Sequence, residues 1–138
     1  MAAILLVDDD EAIRNLLVRI LERDGYSVTM ACHGGEAIRH LTSMRFDLMV
    51  LDLMMPISNG RDVLAFMRER GWMTRTVILT AAHDLALAGL DTTGVLHVLR
   101  KPFDLEALRQ TVSSCLVTVE SGPGPPAICS KAEPPRPP

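Results

Sequence analysis

The chain has 138 residues, 48% of them hydrophobic, with 14 basic against 17 acidic side chains and a formal net charge of −3. That length suits one domain with a real core, and without a basic block the domain is not expected to bind nucleic acid directly. Cys32, Cys115 and Cys129 form no CxxC pair, so reduced thiols in a cytoplasmic protein are expected rather than zinc. No apolar stretch approaches the roughly 20 residues of a membrane span, so no membrane insertion is expected. The opening MAAILLV, followed at once by DDDE, is too short for a signal peptide.

AILLV, residues 3–7, is a short continuous apolar run, the pattern of a strand buried on both faces. Asp10 can cap the helix that follows. Ile13, Leu16, Leu17, Ile20 and Leu21 recur there at helical spacing, and Gly25 stands where that helix should stop. Tyr26, Val28 and Met30 alternate with Ser27 and Thr29, which predicts an outer, half-covered strand. GGEAIRHLTSM is a second helix and DLMVLD a second buried strand. A third helix opens near Gly60 and ends at Gly71, with Val63, Phe66 and Met67 on one face. TVILT, residues 76–80, is another buried strand. The segment 84–90 is a poor helix with Gly89 inside it, and VLHVL, residues 95–99, is a fifth strand. Leu105, Leu108, Val112 and Leu116 mark a last helix behind the candidate cap Asp104.

Strand and helix thus alternate five times. Parallel strands need crossover connections, so the pattern predicts an α/β fold: a doubly wound, five-stranded parallel sheet with helices on both faces. The folded domain is expected over 1–118. From 119 to 138 the composition changes, and seven of the nine prolines fall in ESGPGPPAICSKAEPPRPP. That segment is expected to be a passive tail, disordered or partly polyproline II, although PPRPP would also suit a proline-reading partner.

In such a sheet, ligands bind beyond the carboxyl ends of the strands. Asp8 and Asp9 follow the first strand, and Asp52 ends the third. Asp8 to Asp10 alone would also suit an acidic cluster at a helix N-terminus, but that leaves Asp52 unexplained. Carboxylates within a few ångströms resist joint ionisation, and Mg2+, which takes a few carboxylate oxygens and completes its shell with water, relieves the cost. Thr80 ends the fourth strand and Lys101 follows the fifth. Singly these are a cap and a solvated charge. Beside an acidic cluster they complete a set suited to a phosphoryl group, with a carboxylate as nucleophile.

LLVDDDEAIR, DLMVLDLMMPISNG, VILTA and LRKPF, in this order over about residues 3–118, resemble the response-regulator receiver domains, the CheY-like family with the flavodoxin-like (βα)5 fold. The resemblance implies a phosphorylation switch of a two-component system. Asp52 would be the phosphoryl acceptor, Asp9 a direct Mg2+ ligand, Asp8 a ligand acting largely through water, and the Met54 backbone carbonyl the third protein ligand. Thr80 would hydrogen-bond the phosphoryl group and Lys101 would pair with it, with a cis Lys101–Pro102 bond. The donor would be a histidine kinase or phosphotransfer protein, and the output would pass to a downstream protein through contacts, with no enzymatic activity beyond self-phosphorylation and self-dephosphorylation.

The chain departs from the family at three positions. Val98 stands where receivers usually carry an aromatic switch residue, and valine is too stiff and short to swing between pockets. A phosphorylation signal would then act mainly on residues 81–94. Met54 and Ala82 stand where side chains guide the hydrolytic water, and neither can orient one, so a long-lived phospho-form is expected. A haloacid-dehalogenase-type phosphatase is the enzymatic alternative, since Asp8 and Asp10 form a DxD. That family expects a further acidic pair after the lysine, where only Asp104 and Glu106 follow, and the chain has no room for a cap insertion. A receiver-fold scaffold that is never phosphorylated is the third reading, and the intact acidic set speaks against it.

Overall fold

The computed structural model describes residues 2–53, 60–72, 74–80, 94–101 and 103–121, with backbone alone for 117–121. In chain order these form β1 (Ala3–Val7), α1 (Glu11–Arg23), β2 (Ser27–Ala31), α2 (Gly34–Ser43), β3 (Leu48–Asp52), α3 (Gly60–Glu69), β4 (Thr76–Thr80), β5 (Val95–Arg100) and α4 (Leu105–Ser121). The expected helix at 84–90, Ala82, Met54, Pro56, Pro102 and the tail beyond 121 lie outside the described residues. The last helix runs to Ser121, past the boundary expected at 118.

The five strands form one parallel sheet in the order β2-β1-β3-β4-β5. The continuous apolar runs are explained by the two cores they serve. Leu5, Val7, Met49, Leu51 and Ile78 point to one face and pack with Ala37 and Leu41 of α2 and Val63, Leu64 and Met67 of α3. Ile4, Leu6, Leu48, Val50, Val77 and Leu79 point to the other, against Leu17 and Leu21 of α1 and Leu108, Val112 and Leu116 of α4. A fully buried aliphatic side chain contributes about 1.5–3 kcal/mol, so the two layers hold the central strands rigidly where the site is built.

The helix boundaries follow the expected chemistry. Asp10 caps α1 by accepting from the Ile13 N–H at 3.1 Å, and Gly25, at φ 97°, takes the left-handed turn after it. The N-cap of α2 is His33, whose Nδ1 accepts from the Glu36 N–H at 3.1 Å. Glu36 in return accepts from the Cys32 N–H at 2.7 Å, a bond that holds its carboxyl below the usual range against the opposing effect of burial.

Both outer strands differ from the simplest reading of their patterns. Met30 in β2, an edge strand, is exposed although it shares its parity with the half-buried Val28. In β5, Leu96 and Val98 are 41% and 39% exposed; an edge strand gains neighbours on one side only, so an apolar run there does not enforce burial.

Candidate functional site

The strand order reverses direction between β1 and β3, and this switch point is where an open α/β sheet offers a crevice at its carboxyl edge. Asp8 lies directly beyond β1 and its N–H still pairs with the Ala31 carbonyl of β2 at 3.1 Å. Its Oδ1 accepts from the Asp10 N–H at 2.9 Å, closing the turn into α1. Asp52 is the last residue of β3, in register with Leu79. Both carboxylates are buried, at 0% and 3% exposure, while Asp9 is exposed.

Lys101 follows β5 and reaches across the edge. Its Nζ lies 3.2 Å from Asp8 Oδ2 and 3.2 Å from Asp52 Oδ2. Burial alone would favour the neutral amine, but the charges of Asp52 and Asp8, with hydrogen bonds to both, outweigh it and raise the lysine pKa. The ammonium therefore stays charged at neutral pH, and one cation is shared by two buried anions. The sharing leaves an excess of negative charge, since oxygens of Asp8, Asp9 and Asp52 all lie within 4.8 Å of one another. These hard oxygen donors, one of them open to solvent, fit a small divalent cation with water in its remaining positions.

Thr80 is fully buried at the end of β4, one residue beyond the Asp52–Leu79 register pair. Its carbonyl accepts from the Lys101 N–H at 2.7 Å, which ties the lysine's backbone to the same edge. Of the residues singled out by sequence, Asp8, Asp9, Asp52 and Lys101 lie together, with Thr80 at the neighbouring strand end. Met54 lies outside the described residues.

Two features of the site escape a reading of residue types. Gly60 opens α3 against the end of β3; its N–H donates to the Leu53 carbonyl at 2.9 Å, and a Cβ there would stand 2.7 Å from the Asp52 carbonyl oxygen and 2.9 Å from Leu53 Cα. Only glycine permits this approach. Arg14 donates from its guanidinium to the Asp8 carbonyl at 2.8 Å. The signal for the first was the glycine at a helix start; for the second it was an arginine in the first turn after an acidic run.

Comparison with known proteins agrees with this geometry. A family model described as "Response regulator receiver domain" matches residues 4–113. A response regulator MprA of Mycobacterium sp. (strain KMS) is 40% identical over 129 residues, covering 91% of this chain and 56% of the relative. The MprA of Mycobacterium avium (strain 104) is 44% identical over 107 residues, 76% of this chain and 46% of the relative. The chain therefore spans about half the length of the curated relatives it matches. Among solved structures, response regulator TrrA of Thermotoga maritima in complex with Mg(2+)-BeF has a TM-score of 0.73 at 30% identity, covering 83% of this chain and 99% of that one. Chemotaxis response regulator CheY4 of Vibrio cholerae has a TM-score of 0.74 at 30% identity, with 83% and 98% covered.

Proposed function

Because this chain belongs to the response regulator receiver domain family, we propose that it is a phosphorylation switch whose acceptor is Asp52. The observation that supports this best is the shared lysine: a buried carboxylate at a rigid strand end, 3.2 Å from an ammonium that also holds Asp8. In the proposed reaction an Asp52 oxygen attacks the phosphorus of a phosphohistidine, the P–N bond breaks, and the imidazole leaves with its electron pair. Asp8, Asp9 and Asp52, with the Met54 carbonyl, would hold Mg2+, which supplies positive charge for the phosphoryl oxygens. Lys101 would neutralise a further oxygen, and Thr80 would donate a hydrogen bond to the phosphorylated state.

Receivers are phosphoacceptors rather than classical enzymes, and self-phosphorylation and self-dephosphorylation are the only chemistry we assign. The donor would be a histidine kinase or phosphotransfer protein and the output partner a protein; a domain of net charge −3 offers little to a phosphate backbone. Among the described residues no helix is long and apolar enough to cross a membrane, and we place the reaction in the cytoplasm, where kinases draw on ATP. The test is intact mass after incubation with Mg2+ and acetyl phosphate. Asp52→Asn should lose the phosphoryl mass gain. If Asp8→Asn abolished it while Asp52→Asn did not, the phosphatase chemistry of a DxD nucleophile would hold instead.

A further inference from the structure

Among the described residues Asp8 is held at four points, three of them the strand pair with Ala31, the turn bond from Asp10 and the ion pair with Lys101. The fourth is the Arg14 guanidinium, 2.8 Å from the Asp8 carbonyl oxygen. Arg14 sits in the first turn of α1, and its own N–H closes that turn onto the Asp10 carbonyl at 2.8 Å. Its side chain thus reaches back over the turn and ties the helix to the peptide unit that joins Asp8 to Asp9. The bond is charge-assisted. The orientation of that peptide unit fixes the direction in which Asp9, the exposed acid of the cluster, projects its carboxylate.

We propose that Arg14 is a positioning residue for the cation site: by bonding the Asp8 carbonyl it aims the Asp9 carboxylate and thereby sets the affinity for the divalent cation. The inference rests on reading Asp8, Asp9 and Asp52 as the metal site. A purely electrostatic effect would have the opposite sign, since a positive charge near a cation site weakens binding and its removal would tighten it.

Isothermal titration of the full chain with Mg2+ alone tests this, using Arg14→Met, Arg14→Gln and Arg14→Lys beside the wild type, with metal-free melting as the control for general damage. Partners that orient metal ligands change affinity by 10–100-fold, and a loss of about tenfold is expected for Met and Gln, at the low end of that range because the site is open to water. Lys keeps a donor and should recover part of the loss, a rescue that plain destabilisation would not show. Met and Gln variants binding Mg2+ as tightly as the wild type, or more tightly, would overturn the proposal, as would a Lys variant no better than Met. Failure of the wild type itself to bind Mg2+ is a separate outcome: it refutes the metal reading and takes this inference with it.

Discussion

Replacing Gly60 by alanine puts one methyl group into the floor of the site. The added Cβ would meet the Asp52 carbonyl oxygen at 2.7 Å, Leu53 Cα at 2.9 Å and the Leu53 carbonyl oxygen at 3.2 Å. All three are backbone atoms of a buried strand end, so no flexible side chain can yield. The start of α3 must move away by several tenths of an ångström, straining the 2.9 Å bond from the Gly60 N–H to Leu53. Overpacking of this kind costs about 1–3 kcal/mol, the weakened bond adds up to about 1 kcal/mol, and the better helix propensity of alanine returns up to about 1 kcal/mol. The net expectation is a loss of about 2 kcal/mol, or a melting midpoint lower by about 8 °C at this chain length. Urea unfolding of the two proteins measures the first quantity and differential scanning calorimetry the second. Because the displaced atoms carry Asp52, the proposed acceptor, the alanine variant should also label more slowly with acetyl phosphate. An alanine variant as stable as the wild type would refute the claim that this approach requires glycine.

Saturating Mg2+ should stabilise the wild type by about 1–3 kcal/mol through mass action on the folded site, and Asp9→Asn should lose most of that gain in a thermal melt; a wild-type melt unmoved by millimolar-range Mg2+ would count against the site. The Arg109 guanidinium bonds both Asp24 oxygens, at 2.9 and 3.0 Å, and holds that carboxyl below its ordinary value of 3.8. A lowered folded-state value means the pair stabilises fully above that ordinary value and fades as pH falls through the depressed one. Asp24→Asn should therefore flatten the acid side of the stability curve and leave its slope near neutrality unchanged. A chain ending at Ser121 should fold and label as the full chain does; aggregation of the shortened protein would mean that the segment beyond it contributes to the fold.

The central strands and the site were largely legible because one pattern carried both. A run such as LMVLD is apolar at every position only if both faces are covered, and an acid ending such a run has to be explained by what it meets. The edge strands were less legible. VLHVL reads like any other strand, yet Leu96 and Val98 are exposed, since coverage is decided by neighbours distant in sequence. His33 was missed as a cap because histidine is outside the usual capping residues, although Glu36 three positions on is half of a capping-box signature. The Arg109–Asp24 pair spans 85 positions and leaves no periodic trace. Arg14 fell on a helical position suited to solvent; its bond depends on the turn at Asp8, which residue types do not specify.

Locating the phosphoryl group tests the central claim most directly. The wild-type chain is incubated with Mg2+ and acetyl phosphate, the acyl phosphate is trapped by borohydride reduction to homoserine, and the peptide spanning β3 is read by tandem mass spectrometry. Homoserine is expected at position 52 and nowhere else, and none when Mg2+ is chelated beforehand. Homoserine at position 8 or 9, or equal labelling without the metal, would contradict it.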